Sequence, residues 1–292
     1  MANEREIKNR IKSINDTLKI TNAMYLISSS KLKKAKKMLE DTEPYFYTLQ
    51  NEMTRILRHL PDIEDRYFRT TKGVKSHRAG FIVVTADKGL AGAYNHNILK
   101  GAEELIKEHK NAKLFVLGEC GRHYFETKKI PIDKQFHYTV QNPTLSRART
   151  MAEELLPLYK KGKIDEIYLI YTRMKNAVEE VAETVKLLPL DRENFKAEDD
   201  EKDGKFTNIS FKPSPVEVMD NIVPEFLVGF IYGALVEAYS CEQNARMTAM
   251  KAASDSARDM LKTLNVEYNR ARQAAITQMI TEVAAGAKAQ GK

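Results

Sequence analysis

Residues 5–60 read REIKNRIKSINDTLKITNAMYLISSSKLKKAKKMLEDTEPYFYTLQNEMTRILRHL. Stepping alternately by four and three from Ile7 picks out Ile7, Ile11, Ile14, Leu18, Thr21, Tyr25, Ser28, Leu32, Ala35, Leu39, Thr42, Phe46, Leu49, Met53, Ile56 and Leu60. Only the two threonines and the serine depart from the apolar rule. A repeat of about 3.5 residues held over this many turns keeps one seam facing a partner only if the helix supercoils left-handedly, the signature of a coiled coil. A helix with such a seam needs a second helix to cover it. The first helix is expected to begin near Asn3 and reach Glu43 at least, about 60 Å of rod at ~1.5 Å per residue. The repeat carries on past Pro44, so this proline is expected to kink the helix and Pro61 to stop it.

The covering helix is written at the other end of the chain. No proline follows Pro224, and a second 3-4 register runs Met247, Met250, Ser254, Ala257, Leu261, Leu264, Tyr268, Ala271, Ala275. Its small residues allow two backbones to approach closely and can receive large residues from the facing helix. The N-terminal helix has further apolar residues off its seam at Ile20, Ala23, Met24 and Ile27, which implies burial from two directions. Either the core against the partner helix is widened there, or another surface is covered. The run Lys31, Lys33, Lys34, Lys36, Lys37 reads as a solvated face, or as a face met by an acidic surface. From Ala274 to Ala287 the apolar residues Ile276, Met279, Ile280 and Val283 spread round the helix with one charge, Glu282, before Lys288. A frayed tail is normally polar, so this end is expected to be enclosed by another protein or laid against the N-terminal helix.

Between the rods the period changes. Phe81–Thr85, Lys113–Gly118 and Glu166–Tyr171 are short apolar strands, separated by helical segments over 95–109 and 144–160. This alternation reads as a parallel sheet with crossovers. Phe206–Phe211 is a further expected strand, and the acidic stretch 191–205 an exposed loop. The expected fold class is therefore α/β plus a long α-helical coiled coil: an antiparallel coiled coil of the terminal helices with an inserted Rossmann-like α/β domain. The expected domains are 1–60, 78–212 and 216–287. Length agrees, since 292 residues suit two structural bodies.

Composition excludes several classes. At 42 % apolar residues and with no run approaching the ~18 needed to cross a bilayer, the chain is expected to be soluble, without direct membrane insertion. A charged start at Glu4, Arg5, Glu6 and Lys8 argues against a signal peptide. Cys120 and Cys241 lie far apart in unlike contexts, which argues against a disulfide framework. The loop Asp87–Ala93 sits where a nucleotide-binding loop would, after a strand and before a helix, but it lacks G-x-G-x-x-G, and G-x-x-x-x-G-K-[ST] occurs nowhere. Its glycines fit a tight turn. The six histidines form no H-x-x-x-H pair, and His96 near Asp87 is the one imaginable acid/base pair. No catalytic residue, cofactor or metal is therefore assigned. The net charge of +7 permits an acidic partner. A nucleic-acid scaffold would show steep salt dependence and would leave the apolar tip unexplained, so no nucleic acid is expected.

Arg5–Ile14, then Lys19–Met24 and Lys31–Leu32, resemble the opening of the gamma subunit of F-type ATP synthases. Asp87-Lys88-Gly89-Leu90-Ala91-Gly92-Ala93-Tyr94-Asn95 is similar to that family's central loop, and Ala245–Ala253 and Asn269–Thr277 to its C-terminal helix. The blocks span both ends and the middle in order. The resemblance implies a rotor shaft: terminal helices inside a hexamer of alternating alpha and beta subunits, and a foot on the membrane ring of c subunits beside epsilon, with all nucleotide chemistry in the hexamer. Carried over by position, Met24 would face the moving lever of a beta subunit, with Lys33 and Lys34 opposing its acidic region. Arg246, Gln273 and Thr277 would make polar contacts with beta-subunit loops. Ile276, Met279, Ile280 and Val283 would turn in an apolar sleeve. Asn22 and Ile27–Ser30 depart from the family's usual residues, which weakens the lever contacts or makes them more hydrogen-bonded, and Ala91 replaces a common cysteine. The lack of a cysteine-bearing regulatory insertion and of a transit peptide implies a bacterial form without thiol control, at the cytoplasmic face of the cell membrane.

Overall fold

The computed structural model describes residues 4–59, 66–68, 78–109, 111–176, 179–195, 212 and 214–290. The chain divides into two compact units, one formed by Met1–Ser29 with Arg246–Lys292 and the other by Ser30–Ala245. Two helices run through both: α1 (Glu4–His59) and α5 (Pro215–Gln290).

In the first unit the two seams meet. Every seam position of α1 from Ile7 to Ser28 is buried or half-buried, and so is every seam position of α5 from Met247 to Ala271. The Ser254 hydroxyl donates to the Thr21 hydroxyl at 2.7 Å. Arg10, Ser13 and Ile14 share a groove with Ser256, Asp259, Met260, Thr263 and Leu264. Rising numbers on one helix thus pair with falling numbers on the other, so the pair is antiparallel. Two of the polar interruptions, Thr21 and Ser28, are themselves buried seam residues. Thr21 also donates to the Leu18 carbonyl at 3.1 Å, so its hydroxyl is used both ways and its burial carries no unpaired polar group. Ala275, expected on the seam, is exposed, and the last half-buried seam position of α5 is Ala271. From Arg272 to Lys288 every side chain of α5 is exposed.

In the second unit the lower half of α1 continues through Pro44 to His59. Pro44 is exposed, so its ring does not enter the packing. The ~3 kcal/mol that a mid-helix proline costs is offset by burial of Met53, Ile56 and Leu57 and partial burial of Phe46, which join the core with Met219, Val223, Leu227 and Ile231 of α5. The expected stop at Pro61 lies outside the described residues. Phe46 rests on a notch in α5: a Cβ at Gly229 would lie 2.3 Å from its ring, so any other residue there would have to push the ring aside.

Against these helices packs a four-stranded sheet in the order β2-β1-β3-β4, built from β1 (Ala79–Val84), β2 (Lys113–Leu117), β3 (Glu166–Met174) and β4 (Glu180–Leu188). β1 is parallel to β2 and to β3, as the strand-helix alternation requires, with Ile82 opposite both Phe115 and Leu169. Two elements were not expected. β4 runs antiparallel to β3, and its sequence, Glu-Val-Ala-Glu-Thr-Val-Lys, is half polar because one face is solvated. α3 (Glu119–Thr127) is a short helix after β2. The other two helices, α2 (Tyr94–Glu108) and α4 (Leu145–Lys160), fall where the pattern puts them. The expected strand at 206–211 and most of the expected loop at 191–205 lie outside the described residues, whereas Arg192–Phe195 forms a 3-10 turn.

One expectation about α5 is corrected. It contains an 18-residue window apolar enough, by length and composition, to cross a bilayer, yet 61 % of that window is buried inside the protein. Its hydrophobicity is that of a helix covered on several sides by α1 and the sheet.

Candidate functional site

The loop after β1 is built as a joint rather than as a ligand cradle. The Asp87 carboxylate accepts from the Thr139 hydroxyl, from the Val140 amide at 3.1 Å and from the Gln141 amide at 3.3 Å. It is therefore taken up in fastening the 139–141 segment, while His96 is exposed, so no acid/base pair forms between them. Asn95 Oδ1 accepts from the Ala86 amide at 2.9 Å, and the buried Tyr94 hydroxyl donates to the Ala238 carbonyl of α5 at 3.1 Å. Gly92 takes a positive φ of 55° as the turn glycine. A cleft of about 620 Å³ elsewhere in this unit is lined by Phe46, Phe226, Phe230 and neighbours, and draws no wall from residues 85–95. Among the described residues no group of three or more His, Cys, Asp or Glu is placed to hold a metal ion.

The hairpin between β3 and β4 is pinned to α5 by carboxylates. Glu237 accepts from the Met174 amide at 3.2 Å, and Glu180 accepts from the Asn244 side-chain amide at 2.9 Å. Burial raises the pKa of both, outweighing the hydrogen bonds that lower them. A carboxyl whose pKa is raised on folding binds its proton more tightly in the folded chain. Its stabilisation is therefore fully present below the ordinary value of 4.5 and is lost as pH rises through the raised folded value. The double substitution Glu180→Gln/Glu237→Gln keeps both acceptors and removes the buried charges. It should raise the melting temperature at pH 7, with the gain vanishing toward pH 4 in thermal unfolding followed by circular dichroism; an equal gain at both pH values would refute this account.

The residues expected to meet partners fall at separate stations. Met24 is half-buried on the flank of the α1 seam. Ile20 and Ile27, one turn before it and one turn after, are 61 % and 55 % exposed. A widened core against α5 is thus not what their off-seam position means, since no element among the described residues covers them. Lys33 and Lys34 are exposed on the part of α1 that belongs to the second unit. Arg246 is buried and already engaged within the chain, so any contact with another subunit must exchange that engagement. Gln273 and Thr277 are exposed and stacked along the helix, Thr277 donating to the Gln273 carbonyl at 2.9 Å. Ile276, Met279, Ile280 and Val283 are between 49 % and 68 % exposed. Packing of this end against α1, the alternative open from the sequence, is overturned. Other exposed apolar residues carry no expectation from the sequence, among them Leu26, which follows neither stripe, and Leu90, held at a positive φ of 63° on the loop after β1. Ile20 and Ile27, with Ala23 and Met24, form a second i, i+3, i+4, i+7 stripe beside the seam.

Comparison with known proteins covers the same span as the geometry. The family model described as ATP synthase matches residues 3–290. The ATP synthase gamma chain of Ruminiclostridium cellulolyticum is 46 % identical over 99 % of both chains. The ATP synthase gamma chain, sodium ion specific, of Acetobacterium woodii is 35 % identical over 98 % of each. Among solved structures, the central stalk/c-ring of the Tetrahymena thermophila mitochondrial ATP synthase includes a chain that aligns with a TM-score of 0.59 at 22 % identity, covering 80 % of this chain and 99 % of that one. A chain of the Euglena gracilis mitochondrial ATP synthase aligns with a TM-score of 0.56 at 13 % identity, covering 92 % and 95 %. At these identities the structural likeness speaks for the fold: two long helices and a small sheet. Full-length identity to the bacterial sequences speaks for more, and the chain belongs to the ATP synthase gamma-chain family.

Proposed function

We propose that this chain is the non-catalytic rotor shaft of an F-type ATP synthase, peripheral to the membrane on the cytoplasmic face of a bacterial cell. Its coiled coil turns inside a hexamer of alternating alpha and beta subunits, its foot is seated on the c-ring beside epsilon, and ion-driven rotation of that ring is coupled to ATP synthesis or hydrolysis in the hexamer. The observation that carries this reading is the exposed end of α5. A helix that leaves its coiled-coil partner and presents Ile276, Met279, Ile280 and Val283 to solvent is a surface made to be enclosed. The stations on α1 agree: an apolar stripe at Ile20 to Ile27 followed directly by the lysines at 33 and 34 suits a lever that is apolar on one side and acidic at one end. The engagement of Asp87 in the 139–141 joint supports leaving nucleotide chemistry to the hexamer.

Co-expression with alpha and beta subunits tests this. The expected product is a complex of three alpha, three beta and one copy of this chain by native mass measurement, with cooperative ATP hydrolysis. Recovery of this chain apart from the hexamer under those conditions would refute the reading.

A further inference from the structure

We infer that the cleft between α1, α5 and β4 is a binding site for a small organic cation with an aromatic body. This goes beyond the rotor reading, which makes no use of the cleft.

The cleft lies wholly within the unit Ser30–Ala245 and has a volume of about 620 Å³, inside the range of sites for small organic ligands, roughly 300–1,000 Å³. Helical and strand periods build its walls. On α1 the spacing i, i+4, i+7 brings Leu39, Glu43 and Phe46 to it, and on α5 the spacing i, i+4, i+7, i+11 brings Phe226, Phe230, Gly233 and Glu237. Val185 and Leu187 reach it from one face of β4. Gly233 leaves room: nothing lies within 4 Å of a Cβ added there.

Polar atoms are left over inside. Tyr171 of β3 lines the cleft at 6 % exposure, and its hydroxyl donates to no group among the described residues. Glu237 gives Oε1 to the Met174 amide at 3.2 Å, while its second oxygen accepts from no group among the described residues. Burial raises the pKa of both, and the Glu237 charge raises that of Tyr171 further. Since Tyr171 is nearly covered, its hydroxyl is reached by a ligand that enters the cleft and not by a surface laid across it.

Charge selects the sign of that ligand. Glu43, Asp191 and Glu237 line the cleft against one cation, Lys186, which is paired with Glu166 at 2.7 Å. Arg173 and Glu183, which also act on Glu237, pair with each other at 2.9 Å. An ammonium group entering here meets net negative charge and offers N–H donors to the open Glu237 oxygen and the Tyr171 oxygen. The phenylalanine rings favour both its charge and a flat aromatic body. An anion would face three carboxylates.

Fluorescence titration of the full chain with three indoles tests this. The chain contains no tryptophan, so indole emission reports the ligand alone. Tryptamine, a cation, should bind saturably and roughly tenfold tighter than tryptophol, its neutral counterpart, as a hydrogen bond to a charged group adds. Indoleacetate, the anion, should bind weakest. Glu237→Gln should erase the advantage of tryptamine and leave tryptophol binding little changed. Gly233→Leu should fill the cleft and abolish binding of both, with a urea midpoint at or above that of the parent because leucine is the better helix former. If that variant does not fold, Glu237→Gln alone decides. Equal affinity for tryptamine and tryptophol, a preference that survives Glu237→Gln, or undiminished tryptamine binding by a folded Gly233→Leu chain would each overturn the site. So would a dimer that Gly233→Leu dissolves, since a second copy would then fill the cleft. None of these measurements involves the hexamer, so failure here leaves the rotor proposal standing, and failure there leaves this result interpretable.

Discussion

Replacing Ile276 or Met279 with aspartate is expected to leave the isolated chain folded as before and to reduce recovery or turnover of its complex with alpha and beta subunits by about tenfold or more. The first half follows from exposure: both side chains lie on the uncovered end of α5, so the only intrinsic cost is the poorer helix propensity of aspartate, about 0.5 kcal/mol. The second half follows from enclosure. If these side chains turn in an apolar sleeve, an aspartate there loses the transfer energy of a large apolar group and is desolvated without a partner, several kcal/mol in total. Each ~1.4 kcal/mol is a factor of ten. Thermal unfolding of the isolated variant and ATPase assays of the co-expressed complex separate the two. Retention of assembly and turnover with aspartate at either position would contradict the sleeve, and loss of the isolated fold would show that this end is covered by the chain itself.

Gly118→Ala is expected to destabilise the α/β unit by about 3–5 kcal/mol, from left-handed backbone strain together with a clash in packed surroundings. Gly118 joins β2 to α3 at a φ of 84°. A Cβ there would lie 2.3 Å from the Thr85 carbonyl oxygen, 2.7 Å from its carbon and 2.8 Å from the Ala86 oxygen. These are backbone atoms fixed from several sides. The Thr85 amide donates to the Leu117 carbonyl at 3.0 Å and the Cys120 amide to the Ala86 carbonyl at 3.1 Å. The Thr85 hydroxyl donates to the Leu117 carbonyl at 2.7 Å while accepting from the Gly121 amide at 2.9 Å. Neither a rotamer change nor a small slide relieves the contact. Gly101→Ala is the matched control: nothing lies within 4 Å of its added Cβ, and α2 should gain about 0.5–1 kcal/mol from the better helix former. Urea unfolding of the two variants should move in opposite directions, and a Gly118→Ala midpoint equal to that of the parent would show that the joint can yield.

How far the sequence was legible depended on whether a pattern needed only one element or two. The seam on α1 was readable because a helix repeats its own face, and every seam residue from Ile7 to Ile56 is buried or half-buried. Parallel strands buried on both faces announced themselves as apolar runs. β4 did not, because an edge strand with one wet face has the composition of a loop. α3 did not, because nine residues with a glycine inside them are too few for a period to emerge.

By itself the sequence determined that the two ends of the chain form a coiled coil around an inserted α/β body, since 3.5-residue periodicity and strand-helix alternation are written in local spacing. Tertiary structure alone decided where the pairing stops. Ala275 and Leu264 both satisfy the same register, yet only the latter is half-buried, because cover depends on what lies opposite and not on the residue concerned. It alone decided, too, that Ile20 and Ile27 face solvent, that Asp87 is spent on a neighbouring loop, and that the most apolar part of α5 is core. Each of these depends on what another part of the chain brings to the same place, and no spacing within one segment encodes that.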